Sequence, residues 1–158
     1  MADVMFNVGK GRVVELYKQI KNNNPANAAF VVVVLKAVEA DSVIKDVANL
    51  SLLLAAAGNA EADFTNYARI ELTDAELAAW PNPNNTTDKY EITWPALQFV
   101  DAGGVSDNNL TKTILCYDED TTLGTDANIT PLAAFDYVKV TDGSTLDISF
   151  ETDAFAAA

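Results

Sequence analysis

The chain contains no histidine. That removes the side chain that most often acts as a general base near neutral pH and most often binds transition metals. Any acid–base or nucleophilic chemistry would have to rest on carboxylates, lysine or serine. Cysteine is nearly absent too. Cys116 stands alone, so an internal disulfide cannot form. It lies in the apolar run TILCY, where a buried, inert thiol is expected. Hydrophobic runs are short, and none approaches the roughly 18 residues of a membrane-spanning helix. The start, MADVMFNVGKG, does not read as a signal peptide, because Lys10 and Arg12 follow the apolar VMF instead of preceding a long apolar stretch. Basic residues are scarce, 10 against 23 acidic ones, for a net charge of −13. A nucleic-acid partner needs a basic surface, so this balance argues against one. Aromatics are few as well. Trp80 and Trp94 both precede prolines, a setting in which tryptophan packs loops onto a core.

What is present fits one globular domain. The 158 residues are 49 % apolar, and a chain of that size buries enough surface to form a core unaided. The charge is uneven. Residues 1–21 net +2, through Lys10, Arg12, Lys18 and Lys21 against Asp3 and Glu15, while the remainder nets −15. A basic leading segment on an acidic body suits docking onto another acidic surface, including a neighbouring copy; a chance fluctuation in a short segment would look the same. The Gly-Lys-Gly at residues 9–11 lacks the spacing of a phosphate-binding loop. It reads as a joint, giving an extended N-terminal arm over 1–11 and a single β-rich domain over 12–158.

The elements follow from periodicity. Val13, Leu16, Tyr17 and Ile20 have helical spacing, although the same stretch also reads passably as a strand. NNNPANA is a turn by composition. AAFVVVVLKAV reads as a central strand, since four consecutive valines suit a strand buried on both faces. A helix is expected over 42–57, with a stripe of Val43, Val47, Leu50, Leu54 and Ala57 and Gly58 as its terminator. FTNYARIEL alternates like a strand, and TDAELAAWP opens with a capping box between Thr73 and Glu76, predicting a short helix. KYEITWPALQFV reads as a strand broken at Pro95. LTKTILCYD, ITPLAAFDYVKV and TLDISFE follow as strands, the last with Leu146, Ile148 and Phe150 inward. The expected class is α+β, mainly antiparallel β: a single-domain sandwich or barrel with one packed helix and a short second helix.

Chemistry has few footholds. Four carboxylates crowd CYDEDTTLGTDANITPL, at Asp118, Glu119, Asp120 and Asp126. Asp118-x-Asp120-x-Thr122 begins like a calcium loop, but Leu123 stands where an EF-hand needs glycine and Ile129 where it needs glutamate. A looser calcium site on Asp118, Asp120 and Asp126 remains open, as does a plain acidic connection over 118–126. DGSTL lacks the spacing of a nucleophile elbow. Lys36 sits in the valine strand, where an edge or strand-end position accounts for it. Five Asn-x-Ser/Thr triplets, at Asn49, Asn84, Asn85, Asn109 and Asn128, are what an Asn- and Thr-rich sequence produces by chance.

Several strings, in order, resemble a group of small virion structural proteins of tailed bacteriophages. They are GRVVELYKQIKNNNPANAAFVVV, FTNYARIELTDAEL, ILCYDEDTTLGTDANITPLAAFDY and VTDGS. The resemblance spans roughly residues 9–144, and its most distinctive part is the acidic string after Cys116. It implies a non-enzymatic β-rich subunit that decorates, or cements, the outer capsid surface, often around threefold points as a trimer. It implies no cofactor and no catalytic residue. The implied partners are the major capsid protein and copies of the chain itself, without nucleic acid or membrane. Met5, Phe6, Lys10 and Arg12 in the arm are the expected contact residues, and the apolar tail DAFAAA suits a subunit contact. Removing residues 1–11 is then expected to leave a folded protein that no longer binds heads. The alternatives are a tail or head–tail connector subunit, or a calcium-dependent carbohydrate-binding or hydrolytic module.

Overall fold

The valine run forms the centre of the molecule. The computed structural model describes residues 3–79, 84–86, 92–103 and 109–150. Strands and helices among them, in chain order, are β1 (Val4–Met5), α1 (Val13–Lys21), β2 (Ala29–Ala37), α2 (Asp41–Ile44), α3 (Leu50–Ala55), β3 (Ala60–Glu61), β4 (Ile70–Leu72), β5 (Leu97–Phe99), β6 (Asn109–Asp118), β7 (Thr130–Val140) and β8 (Leu146–Ile148). The dominant sheet runs β1-β7-β6-β2-β3, with β4 also paired to β2, and every pairing in it is antiparallel. A second sheet pairs β5 with β8. The fold is therefore α+β, mainly antiparallel, in two sheets with one dominant.

Alternation along β2 divides the core in two. Phe30, Val32 and Val34 face one cluster with α1 and the small sheet. Val31, Val33 and Leu35 face the other, with Phe6, Ile44, Leu50, Leu53, Ile114 and Cys116. Both faces are covered, which is why the run is apolar without interruption. On the first face, α1 presents Val13, Leu16, Tyr17 and Ile20 inward, so the helical reading of that segment holds. Each such side chain contributes on the order of 1.5–3 kcal/mol by burial. The small sheet closes the same face. Leu97, Phe99, Leu146 and Ile148 point in, while Gln98 and Asp147 point out and hydrogen-bond across the pair at 2.7 Å. Trp94 stacks edge-on against Phe30 at 5.3 Å and Phe150 at 5.4 Å, packing its loop onto the core.

The single helix expected over 42–57 is two short ones. Asn49 causes the break. Its side chain accepts from Leu52 N at 2.9 Å, and its own backbone is extended. Asparagine competes with helical backbone bonds and favours a cap. The break turns Ile44, Leu50 and Leu53 inward and leaves Val43 exposed. Gly58 does not terminate α3; Ala56 does. Half of the capping box at Thr73 forms: Glu76 accepts from Thr73 N at 2.9 Å and from its hydroxyl, while that hydroxyl accepts from Ala75 N at 3.2 Å. Only a turn follows it, however, in place of the short second helix. FTNYARIEL shortens to β4 at Ile70–Leu72, because Asn66 takes φ +71 and interrupts the extended chain. Residues 80–83 and 87–91 and the tail from 151 lie outside the described residues, and with them Trp80, the start of KYEITW and DAFAAA.

The leading segment folds onto the body. Val4 and Met5 pair with Ala134 and Ala133. Beside them, β7 carries a bulge at Leu132, since Leu115 faces Ala133 but Cys116 faces Pro131. The Leu132 carbonyl accepts from Phe6 N at 3.1 Å. Gly9 then passes so close that a Cβ there would lie 2.6 Å from the Leu132 Cα and carbonyl oxygen.

Candidate functional site

The acidic connection after Cys116 holds itself together through its own side chains. Asp118 ends β6 buried, and its Oδ1 accepts from Asp120 N at 3.0 Å. Asp120 Oδ1 in turn accepts from Thr122 N at 3.1 Å and from the Thr122 hydroxyl at 2.6 Å. Those bonds hold the Asp120 carboxyl below its ordinary range. Thr121 N reaches Asn27 O at 3.1 Å, and Gly124 turns the chain at φ +59. A shallow cavity of about 210 Å³ lies between Asp118, Asp120, Leu123 and Asn128.

Asp126 leaves this cluster. It sits on a 3-10 turn, and its carboxylate meets the Arg69 guanidinium at 2.5 and 3.0 Å. The same guanidinium takes Glu61 in a second two-pronged contact, at 2.8 Å for both bonds. Tyr67 completes the node: its hydroxyl donates to Glu61 at 2.8 Å and accepts from Val34 N at 3.1 Å. The bonds to Glu61 and Asp126 raise the Arg69 pKa, Arg69 in turn lowers that of Asp126, and burial raises that of Tyr67. The three aspartates of a looser calcium site are therefore not brought together. Among the described residues no group of three His, Cys, Asp or Glu side chains is placed to hold a metal ion.

A second ionic cluster was not legible in the sequence. Lys112 is fully buried, directly opposite Asp136 across the β6–β7 pair, with its Nζ 2.5 Å from Asp136 and 3.1 Å from Asp41. Desolvation works against the Asp136 carboxylate, yet Lys112 holds its pKa below the ordinary value. TKTILCY gives no hint of this, since a strand lysine ordinarily faces water. Lys36 pairs with Asp63 at 2.6 Å and is one-third exposed. Cys116 is fully buried and its thiol pKa is pushed up by that burial, which leaves it a poor nucleophile.

The four expected contact residues divide into two pairs. Met5 is half-buried in β1, and Phe6 has no exposed surface, filling the second core. As folded, Phe6 serves this chain's own interior. Lys10 and Arg12 are exposed; Lys10 Nζ donates to Asn7 Oδ1 at 2.6 Å, and Arg12 opens α1.

No family model matches the chain, and neither the curated proteins nor the solved structures contain a significant match. No helix among the described residues is long and apolar enough to cross a membrane.

Proposed function

We propose that the chain is a structural subunit of a bacteriophage virion, binding the outer surface of the assembled capsid as a decoration protein. Its partners in this reading are the major capsid protein and copies of itself, and its work is the free energy of interfaces, without catalysis. The observation that carries the proposal is the acidic string from Cys116 to Leu132, which resembles that group of proteins. The geometry is in keeping with a recognition surface. The connection is fixed by Asp118, Asp120 and Arg69, and it presents Leu123 and Glu119 outward. A capsid lattice offers many equivalent sites, so modest single contacts suffice when copies also touch one another.

Of the four expected contact residues, Lys10 and Arg12 are the exposed ones. Reversing both charges (Lys10→Glu with Arg12→Glu) is expected to lower occupancy on purified heads without unfolding the protein. Heads lacking the protein would be incubated with each form and the bound copies counted by quantitative gel. Full occupancy by the reversed protein removes these residues from the interface. Binding of neither form to heads removes the capsid reading itself. A copy number of a small multiple of six or twelve per virion, in place of hundreds, would instead indicate a tail or head–tail connector subunit.

A further inference from the structure

Beyond a single bridge, the edges of the two sheets at β4 and β5 stay unpaired with each other. Thr65 bridges Gly103 in antiparallel sense, with Gly103 N donating to Thr65 O at 3.3 Å. Asn66 Nδ2 adds a bond to Asp101 O at 3.1 Å. Five residues on from Thr65 and five back from Gly103, that register would set Ile70 opposite Gln98, in β4 and β5. No ladder forms between them. Among the described residues, β4 is paired only to β2 and β5 only to β8. Two contiguous cavities of about 440 and 380 Å³ fill the seam and share Ile70, Gln98 and Val100. Leu72 and Leu97 are buried along it, while Val100 is 58 % exposed. Glu71, Glu76 and Asp101 are exposed along it. Arg69 is the cation lining it, and its guanidinium is already engaged by Glu61 and Asp126.

We propose that this seam is a strand-addition site that takes one extended segment of a partner polypeptide in which apolar and basic residues alternate. Two strand edges, unpaired among the described residues and lining the same cavities, offer backbone donors and acceptors to an inserted chain, the arrangement by which sheets capture peptides. Period-two alternation sends every second side chain of such a segment toward Ile70, Leu72 and Leu97 and the others toward the carboxylates. A chain of net charge −13 with an acidic seam favours a basic occupant. The proposal stands apart from the capsid reading and does not depend on it.

The test uses the full chain and a fluorescein-labelled octapeptide alternating lysine and valine. Fluorescence anisotropy reads binding, and hydrogen exchange locates it. The expected result is saturable binding with new amide protection at residues 70–72 and 97–100. Methylating alternate backbone nitrogens, which leaves the charge intact, is expected to abolish it. Glu71→Lys is expected to weaken it about fivefold or more, whereas Glu15→Lys, an equal charge change on the exposed side of α1, leaves it unchanged. No binding up to about 1 mM peptide overturns the proposal. So does equal binding of the methylated peptide, or protection elsewhere. A dimer in sedimentation that dissociates on Glu71→Lys would give the seam to a second copy and overturn the assignment of a foreign segment.

Discussion

Arg69 holds two carboxylates at once, one from β3 and one from the acidic connection. A guanidinium suits this because its planar fork meets two carboxylates edge-on, which an ammonium cannot do. The node is partly open to water, with about a quarter of the Arg69 side chain exposed, so its worth is discounted from that of a buried pair. Arg69→Ala is expected to cost about 1–3 kcal/mol, read from urea denaturation midpoints, and Arg69→Lys is expected to recover little of it. The node also predicts a pH dependence. The Asp126 pKa is lowered in the folded state by Arg69, so the folded protein binds fewer protons there than the unfolded chain. That stabilisation is full above the unfolded value of about 3.9 and is lost as pH falls through the lower folded value. The stability gap between the native protein and Arg69→Ala should therefore narrow as pH drops below about 4. A gap constant across that window would show that Asp126 is not held by Arg69. At Phe6, the loss is one of packing. The side chain is fully buried, and Phe6→Ala is expected to cost about 3–5 kcal/mol.

At the scale of elements, two local features decide how segments meet the sheet. The first is Asn49, which divides the expected helix so that α3 starts afresh with Leu50 N donating to Ile129 O at 2.8 Å. Asn49→Ala removes the cap and is expected to cost about 1 kcal/mol; amide exchange should speed up within Leu50–Ala55 while β2 stays protected. The second is the bulge at Leu132, which lets β1 and Gly9 close over β7. Gly9→Ala would press a methyl group into the Leu132 backbone, which cannot rotate away as a side chain could. A cost of about 1–3 kcal/mol is expected, with β1 amides exchanging faster. An unchanged midpoint would show that the leading segment is not held against β7.

For the whole molecule, the leading segment is part of the fold. Residues 3–11 supply a strand, a fully buried phenylalanine and a glycine fitted against the bulge. Deleting 1–11 is therefore expected to lower thermal stability sharply, because the second core loses Phe6 and β7 loses its edge partner. This replaces the expectation that a truncated chain stays folded and merely fails to bind. Circular dichroism melting of the truncated chain checks it, and a melting temperature equal to that of the full chain would restore the arm as a separate piece. The distinction matters for any binding assay, since loss of binding on truncation would otherwise be misread as loss of contacts.

Periodicity and composition alone determined much of the architecture. Four valines in a row specify a strand buried on both faces, because β-branched side chains fit a pleated surface and leave no polar face for water. Spacing of Val13, Leu16, Tyr17 and Ile20 allowed α1 without excluding a strand, and alternation at Leu146 and Ile148 specifies β8. The capping box at Thr73 was legible too, although the helix it announces was not formed. What the tertiary structure decided is where charges and edges meet. Arg69 is 57 residues from Asp126, and Lys112 is 24 from Asp136. No local pattern encodes such pairings, since they depend on strand register and on how the connection folds back. The same holds for the seam between β4 and β5. Both strands lie in segments read as strands, β4 by alternation and β5 as the part after Pro95, but whether two sheet edges join or stay apart is a property of the folded whole.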